Sequence, residues 1–237
     1  LLALRADIPA ESIARYLQSL GRGEALDFVH LSCLARCYAN LPEPYRSLAP
    51  AEYILERIEA CRAFDGGYNV HPDCDEGTVY AGFVAMAAYQ DLRREIPEPD
   101  KLAASLQSLR TEDGGYANQS NIRLGLTPST AAAATMLRLL DRKVDQSIAA
   151  WLLERCYSEG GFYATPMAPV PDLLSTATAL HALSGLKADI EPVKEICLDF
   201  VDSLWVNSGA FLGNWTDDIP DCEYTYYGLL ALGHLSL

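Results

Sequence analysis

Apolar residues recur every three or four positions over Ala51–Cys61, Lys101–Arg110 and Ile148–Cys156, with charged and polar residues between them. That period predicts helices with one buried and one wet face. Alternating with these are segments that are apolar nearly all round: Thr78–Tyr89, Ser129–Leu140, Leu173–Leu183 and Glu223–Leu235. A helix without a wet face must be enclosed on most sides, so the first set is expected to form an outer layer and the second an inner one. A leading pair, Ala10–Leu20 and Ala25–Ala39, repeats the alternation. The pattern predicts an all-α protein of about five helical hairpins, arranged as one domain over residues 1–237.

Each outer helix is followed by small residues and an aromatic: Asp65-Gly66-Gly67-Tyr68, Asp113-Gly114-Gly115-Tyr116, Glu159-Gly160-Gly161-Phe162 and the degraded Ser208-Gly209-Ala210-Phe211. Their first glycines lie 48, 46 and 49 positions apart, which marks one supersecondary unit copied along the chain. Glycine just past a helix end supplies a left-handed conformation for the reversal, and the aromatic can pack back over the joint. Pro72-Asp73, Pro171-Asp172 and Pro220-Asp221 announce three inner helices, and Pro128-Ser129-Thr130 announces the other. Proline delays the helix, and Asp or Ser can cap its free N–H groups. Residues shared by all copies are structural by this logic, so chemistry is sought in what differs.

A net charge of −14 argues against nucleic acid, because phosphate needs cations. No run of about 18 apolar residues occurs, so no transmembrane segment is expected. Leu1-Leu2-Ala3-Leu4-Arg5 shows no signal-peptide pattern, and the missing initial Met points to a fragment or a recombinant product. The seven cysteines are odd in number and scattered, without a CxxC pair, which points to reduced thiols in a cytoplasmic protein. His30 and His181 fall on apolar inner segments and are expected as hydrogen-bonded core residues.

The segments CRAFDGGYNVHPDCDEGTVYAGFVAMAAY (61–89), DGGYANQSNIRLGLTPSTAAAATMLRLL (113–140) and GAFLGNWTDDIPDCEYTYYGLLAL (209–232) resemble the repeats of protein prenyltransferase β subunits and of squalene and terpene cyclases. The resemblance covers roughly residues 10–237. It implies an α/α toroid whose inner helices surround an apolar, aromatic-lined cavity for a hydrophobic isoprenoid. Five hairpins are one short of the six-hairpin ring that the resemblance implies, so the ring is expected to be open or completed by a second subunit.

Fold alone does not give function, and the two families differ at the site. The prenyltransferase pattern GGFxGRPxKxxDxCYSxW supplies zinc ligands and cations for diphosphate. With one residue inserted, Asp221 matches its Asp and Tyr224 its Tyr, whereas Glu223 stands in place of the thiolate and Asn214 in place of the Arg. Asp217 and Asp218 lie near the Lys position, and alignment on Cys222 instead puts Pro220 on the Asp. His234 is about 16 Å along a helix from Glu223, too far to share one metal. A mixed oxygen site on Asp221 and Glu223 for a divalent metal, Zn or Mg, stays open, but the usual zinc Cys and His are not matched and no cofactor is expected. In the pattern FDGGF…HxGQxY, Asp75 occupies the position of the diphosphate-binding His. Carboxylates there repel diphosphate, so zinc-dependent prenylation of the usual kind is not expected.

His71-Pro72-Asp73-Cys74-Asp75-Glu76-Gly77-Thr78 also resembles the PDxDDT signature of class II cyclases, with a Gly inserted before Thr78. Those enzymes protonate an alkene or epoxide, and neighbouring acids favour a proton held on one of them. By this resemblance Asp75 is the proton donor and Asp73 and Glu76 tune it. Tyr80, Trp215, Tyr224, Tyr226 and Tyr227 are the aromatics that could line a cavity and stabilise a carbocation. Arg123, in the loop 118–126, is the cation that could meet an anionic head group. Three classes therefore remain: an acid-initiated isoprenoid cyclase, a prenyltransferase-like β subunit with altered metal chemistry, and a non-catalytic toroid that binds a lipid or a partner helix. The acid cluster puts the first ahead.

Overall fold

The computed structural model describes residues 8–236; residues 1–7, including the opening stretch Leu1–Arg5, and Leu237 lie outside them. Ten α-helices are found among the described residues: α1 (Ala10–Ser19), α2 (Phe28–Ala39), α3 (Ala51–Glu59), α4 (Val79–Asp91), α5 (Pro99–Ser108), α6 (Thr127–Leu139), α7 (Ser147–Leu153), α8 (Leu173–Gly185), α9 (Glu191–Ser203) and α10 (Cys222–Leu235). Along the sequence they alternate as outer and inner helices in the order expected from the apolar pattern. α9 is an outer helix that the pattern above does not single out, although Cys197, Phe200 and Val201 bury one of its faces.

The burial follows the period. α3 buries Ile54, Leu55 and Ile58, and α7 buries Ile148, Trp151 and Leu152, each a stripe at helical spacing. α8 instead buries Leu173, Ser175, Thr176, Ala177, Ala179, Leu180, Ala182 and Leu183. The chain divides into two compact units at Leu106/Gln107. In the first, α2 packs on α4, with α3 against both and α1 against α2. In the second, α8 lies between α6 and α10, with α7 against α6 and α8, and α9 against α10. Alanines such as Ala133, Ala134, Ala177 and Ala179, all essentially inaccessible, suit these helices to close packing.

The four glycine loops are one local structure. Short antiparallel bridges join Arg62 to Tyr68, Arg110 to Tyr116, Cys156 to Phe162 and, between strands β1 (Trp205–Val206) and β2 (Ala210–Phe211), Trp205 to Phe211. Gly66, Gly114, Gly160 and Gly209 have φ between 90° and 96°, and the four aromatics are all buried. The glycines therefore do not end the helices directly. They sit in the tight turn of a small hairpin beyond the helix, where the positive φ closes the bridge. In the last three copies a threonine hydroxyl accepts the N–H of the aromatic: Thr130 from Tyr116, Thr176 from Phe162 and Thr225 from Phe211.

Counting from the aromatic also locates the helix starts. Thr78, Leu126, Asp172 and Asp221 each stand ten positions after it and precede an inner helix. Thr78, Asp172 and Asp221 accept the N–H groups of Ala81, Ser175 and Tyr224 at 3.1, 2.7 and 2.7 Å. α6 has no side-chain cap and carries Pro128 in its first turn, where the missing N–H costs nothing. Pro72-Asp73 is thus not the counterpart of Pro171-Asp172 or Pro220-Asp221. Asp73 caps no helix; it lies in the loop at φ 57°, and Thr78 takes the capping role.

Candidate functional site

The acid-bearing loop is built on Asp65. Its Oδ1 accepts the N–H groups of Gly67 and Gly77 at 2.9 and 3.1 Å, and its Oδ2 accepts the Ser105 hydroxyl at 2.7 Å. The N–H groups of Phe64 and Asp65 donate to the carbonyls of Cys74 and Asp75, and the Asn69 side chain donates to the Glu76 carbonyl. Gly67 and Gly77 meet so closely that a Cβ on Gly77 would stand 2.8 Å from the Gly67 Cα. Residues 73–76 are thereby fastened by their backbone directly ahead of α4, while the side chains of Asp73, Asp75 and Glu76 are exposed. The second copy uses the same scaffold: Asp113 Oδ1 accepts from Gly115 and Gly125 at 3.3 and 3.2 Å. Its loop has no acids at the matching places, so the three carboxylates are an addition to a common frame.

Tyr80 and Phe83 follow on α4 and are 48% and 37% exposed, an apolar surface one and two turns beyond the acid loop. The other predicted residues belong to the second unit. Tyr226 and Tyr227 form an edge-on pair on α10 with ring centroids 5.4 Å apart. Trp215 donates to Ser203 Oγ at 2.9 Å and packs edge-on against Phe200 and Tyr157, so it joins its loop to α9. Tyr224 fills the space beside Gly213, where a Cβ would meet its ring, and burial together with nearby carboxylates pushes its phenol up. Arg123 is exposed in its loop.

Asp221 and Glu223 are the candidate oxygen ligands for a divalent metal. Asp221 Oδ1 is engaged by the Tyr224 N–H, Glu223 is exposed, and no group of three ligating side chains converges among the described residues. The donor set does not fit a tightly held ion.

Two polar clusters were not legible in the repeat. In the first unit, Glu59 Oε2 accepts both the Tyr68 and Tyr89 hydroxyls at 2.8 Å and pairs with Arg62, which also reaches the carbonyls of Gly66 and Pro97. Burial pushes the Glu59 carboxyl up, but the bonds from Arg62, Tyr68 and Tyr89 prevail and hold it below the ordinary range. Burial and the Glu59 charge push the Tyr89 phenol up to about 12. The spacing Glu59-x-x-Arg62 on a helix end was the available signal. In the second unit, His181 Nδ1 lies 3.0 Å from His234 Nε2 across α8 and α10, and burial lowers both imidazoles. His181 is therefore the hydrogen-bonded residue expected, whereas His30 is exposed and pairs with Asp27 at 2.8 Å, because it sits in the first turn of α2. A cavity of about 630 Å³ in the first unit is lined by Arg22, Arg46, Arg93 and Arg94 beside Glu43 and Glu52, and holds none of the predicted site residues.

This repeated pairing of helices through glycine hairpins belongs to a known family. The chain is a member of the prenyltransferase alpha-alpha toroid domain family, whose model matches residues 28–127 and 109–236. Among solved structures it is similar to the Candida albicans protein geranylgeranyltransferase-I complexed with GGPP, at 14% identity and a TM-score of 0.72 over 97% of this chain and 78% of that one. It is likewise similar to the type II terpene cyclase MstE from Scytonema, at 14% identity and 0.71 over 95% and 71%. The ent-copalyl diphosphate synthase from Streptomyces platensis aligns at 15% identity and 0.62 over 89% of this chain, but only 39% of that one. No curated protein matches the sequence. At these identities the structural likeness establishes the fold.

Proposed function

We propose that the protein is an acid-initiated cyclase of a polyprenyl substrate, with Asp75 as proton donor and Asp73 and Glu76 as its acidic neighbours. The observation that carries the reading is the acid loop: a shared scaffold holds its backbone ahead of an inner helix, and it gathers three carboxylates where the second and third copies have none and the fourth matches only Asp75, with Asp218. In the proposed step the Asp75 carboxylic acid gives its proton to a terminal alkene or epoxide. Its carboxylate and those of Asp73 and Glu76 keep the surroundings negative as the carbocation forms, and the faces of Tyr80 and Phe83 offer π stabilisation. No cation for a departing diphosphate is required, in agreement with the carboxylate at position 75. No step passes through a metal. The proposal includes a second subunit, and a cytoplasmic location supported by seven free cysteines.

Product analysis by gas chromatography–mass spectrometry tests it, with squalene, epoxysqualene and C15–C20 prenyl diphosphates offered to the wild type and to Asp75→Asn. A cyclised product from the wild type alone is the expected result. Unchanged substrates with both proteins would remove the cyclase reading for these substrates. The exposure of Asp73, Asp75 and Glu76 favours a second reading, a family member that binds an isoprenoid without transforming it. That reading expects saturable binding of a prenyl chain, unaffected by Asp75→Asn.

A further inference from the structure

The connection between α2 and α3 is longer than its counterparts. It runs over residues 40–50, whereas those after α4, α6 and α8 run over 92–98, 140–146 and 186–190. The added length includes a 3-10 helical turn, Tyr45–Leu48, and forms one wall of the cavity of about 630 Å³ in the first unit. The ends of α2 and α4 and the start of α3 form the others. That volume is within the range of small-molecule sites. The cavity meets α4 at its C-terminal end, so the 13 residues of that helix, about 20 Å, separate it from the acid loop.

In a chain of net charge −14, four arginines line this one space. Two of them belong to local ion pairs: Arg94 donates to Glu52 at 3.0 Å, and Arg22 donates to Glu24 at 3.0 Å while its guanidinium lies 4.3 Å from the Tyr53 ring centroid. Asp91, also in the wall, is matched by Arg36 at 2.9 Å. Arg46 donates only to the Leu41 carbonyl, and the Arg93 side chain has no partner among the described residues. The repeat does not call for an arginine at position 93. The matching residues after α6 and α8 are Asp141 and Lys187, and all three share a left-handed backbone, at φ 55° to 56°. A third free donor is Tyr38, only 1% exposed, whose hydroxyl has no hydrogen-bond partner among the described residues. Burial pushes its phenol up, so it stays a donor, and a buried donor without a partner is costly. Glu43 is the carboxylate of the wall that no cation matches among the described residues.

We propose that this cavity binds a small phosphomonoester on a hydroxylated carbon frame, with Arg46, Arg93 and Tyr38 meeting the phosphate and Glu43 a hydroxyl of the frame. Three features choose that class. The cations are all arginines, whose planar forks of donors match oxyanions better than lysine does. A phosphomonoester carries nearly two negative charges at neutral pH and three acceptor oxygens, which answer two guanidinium groups and a phenol. Glu43 repels a bare anion but accepts from a hydroxyl, and Ala49, Pro50 and Leu92 offer apolar surface to the carbon frame. The site stands apart from the reading of Asp75, and no step proposed there uses it.

Isothermal titration calorimetry of the full chain tests it, with ribose 5-phosphate, glycerol 3-phosphate and adenosine monophosphate as probes and free ribose for comparison. The expected result is saturable one-to-one binding of at least one phosphorylated probe, and none of ribose. Arg93→Gly should weaken that binding about tenfold or more, since it removes the guanidinium while suiting the left-handed backbone. Tyr38→Phe should weaken it about fivefold without lowering the melting temperature, because no bond within the protein is lost. Arg15→Ala removes a cation of α1 outside the cavity and should leave the affinity unchanged. No saturable binding of any phosphorylated probe would overturn the proposal. So would equal weakening by Arg93→Gly and Arg15→Ala, or binding of inorganic phosphate as tight as that of the probes, which would leave Glu43 and the carbon frame without a role.

Discussion

The Tyr68 hydroxyl donates to Glu59 Oε2 at 2.8 Å, so the aromatic of the first glycine loop is anchored by the last residue of the helix that precedes it. Tyr89, from α4, donates to the same oxygen, and Arg62 pairs with the carboxylate from the side. One carboxylate thus gathers an outer helix, a loop and an inner helix.

Tyr68→Phe should lower stability by about 1–2 kcal/mol, the worth of a lost buried hydrogen bond with its partners left behind. Glu59→Gln should cost about 2–4 kcal/mol, because it leaves Arg62 without its counter-ion. The pH profile carries the sign. Glu59 is held below its ordinary 4.5, so its contribution is present above that value and is lost as pH falls through the folded one. Tyr89 is raised from 10 to about 12, so its contribution is complete below pH 10 and is lost as pH rises toward 12. Thermal melts across pH, compared with Glu59→Gln, check both limbs; identical profiles for the two proteins would refute the assignment.

Gly160 and Gly209 share a left-handed backbone, at φ 96° and 93°, but not their surroundings. A Cβ on Gly160 would lie 1.9 Å from the Ile196 carbonyl, whereas one on Gly209 meets nothing within 4 Å. Gly209→Ala should cost about 1–2 kcal/mol for backbone strain alone. Gly160→Ala should cost about 4 kcal/mol or more, since the loop must lift from α9. Urea denaturation of the two variants separates the terms, and equal losses would show that crowding contributes nothing.

The His181–His234 pair predicts weakening in mild acid. Burial lowers both imidazoles, with Arg138 adding to the effect on His181 and His181 to that on His234. Protons therefore bind the unfolded chain first as pH falls below about 6.5, and stability declines through that window. His234→Leu should remove much of the decline between about pH 6.5 and 5. Melting temperatures measured over that range decide it.

Asp172, Asp221 and Asp75 are all loop aspartates, and they should behave differently. Asp172→Ala and Asp221→Ala each remove a cap and should cost about 1 kcal/mol. Asp75→Asn touches an exposed side chain and should change stability by less than about 0.5 kcal/mol. Calorimetry of the three variants checks this, and a large loss in Asp75→Asn would assign that carboxylate a structural role.

What the sequence determined by itself was whatever depends on local pattern. Helical period, glycines able to take positive φ and aromatics at a fixed place predicted an all-α chain of about five hairpins, with every helix but α9 singled out, and the family follows from the same repeat. Tertiary structure decided which polar groups have partners. Register alone could not reveal that Thr78, and not Asp73, caps α4, because the loop between Tyr68 and α4 places its Pro-Asp five positions earlier than its counterparts. Nor could it bring Glu59 to Tyr89 or His181 to His234. Both contacts join residues 30 or more positions apart, through helix packing that neither partner's neighbours encode. Local propensity sets the elements; the burial they share sets which side chains meet.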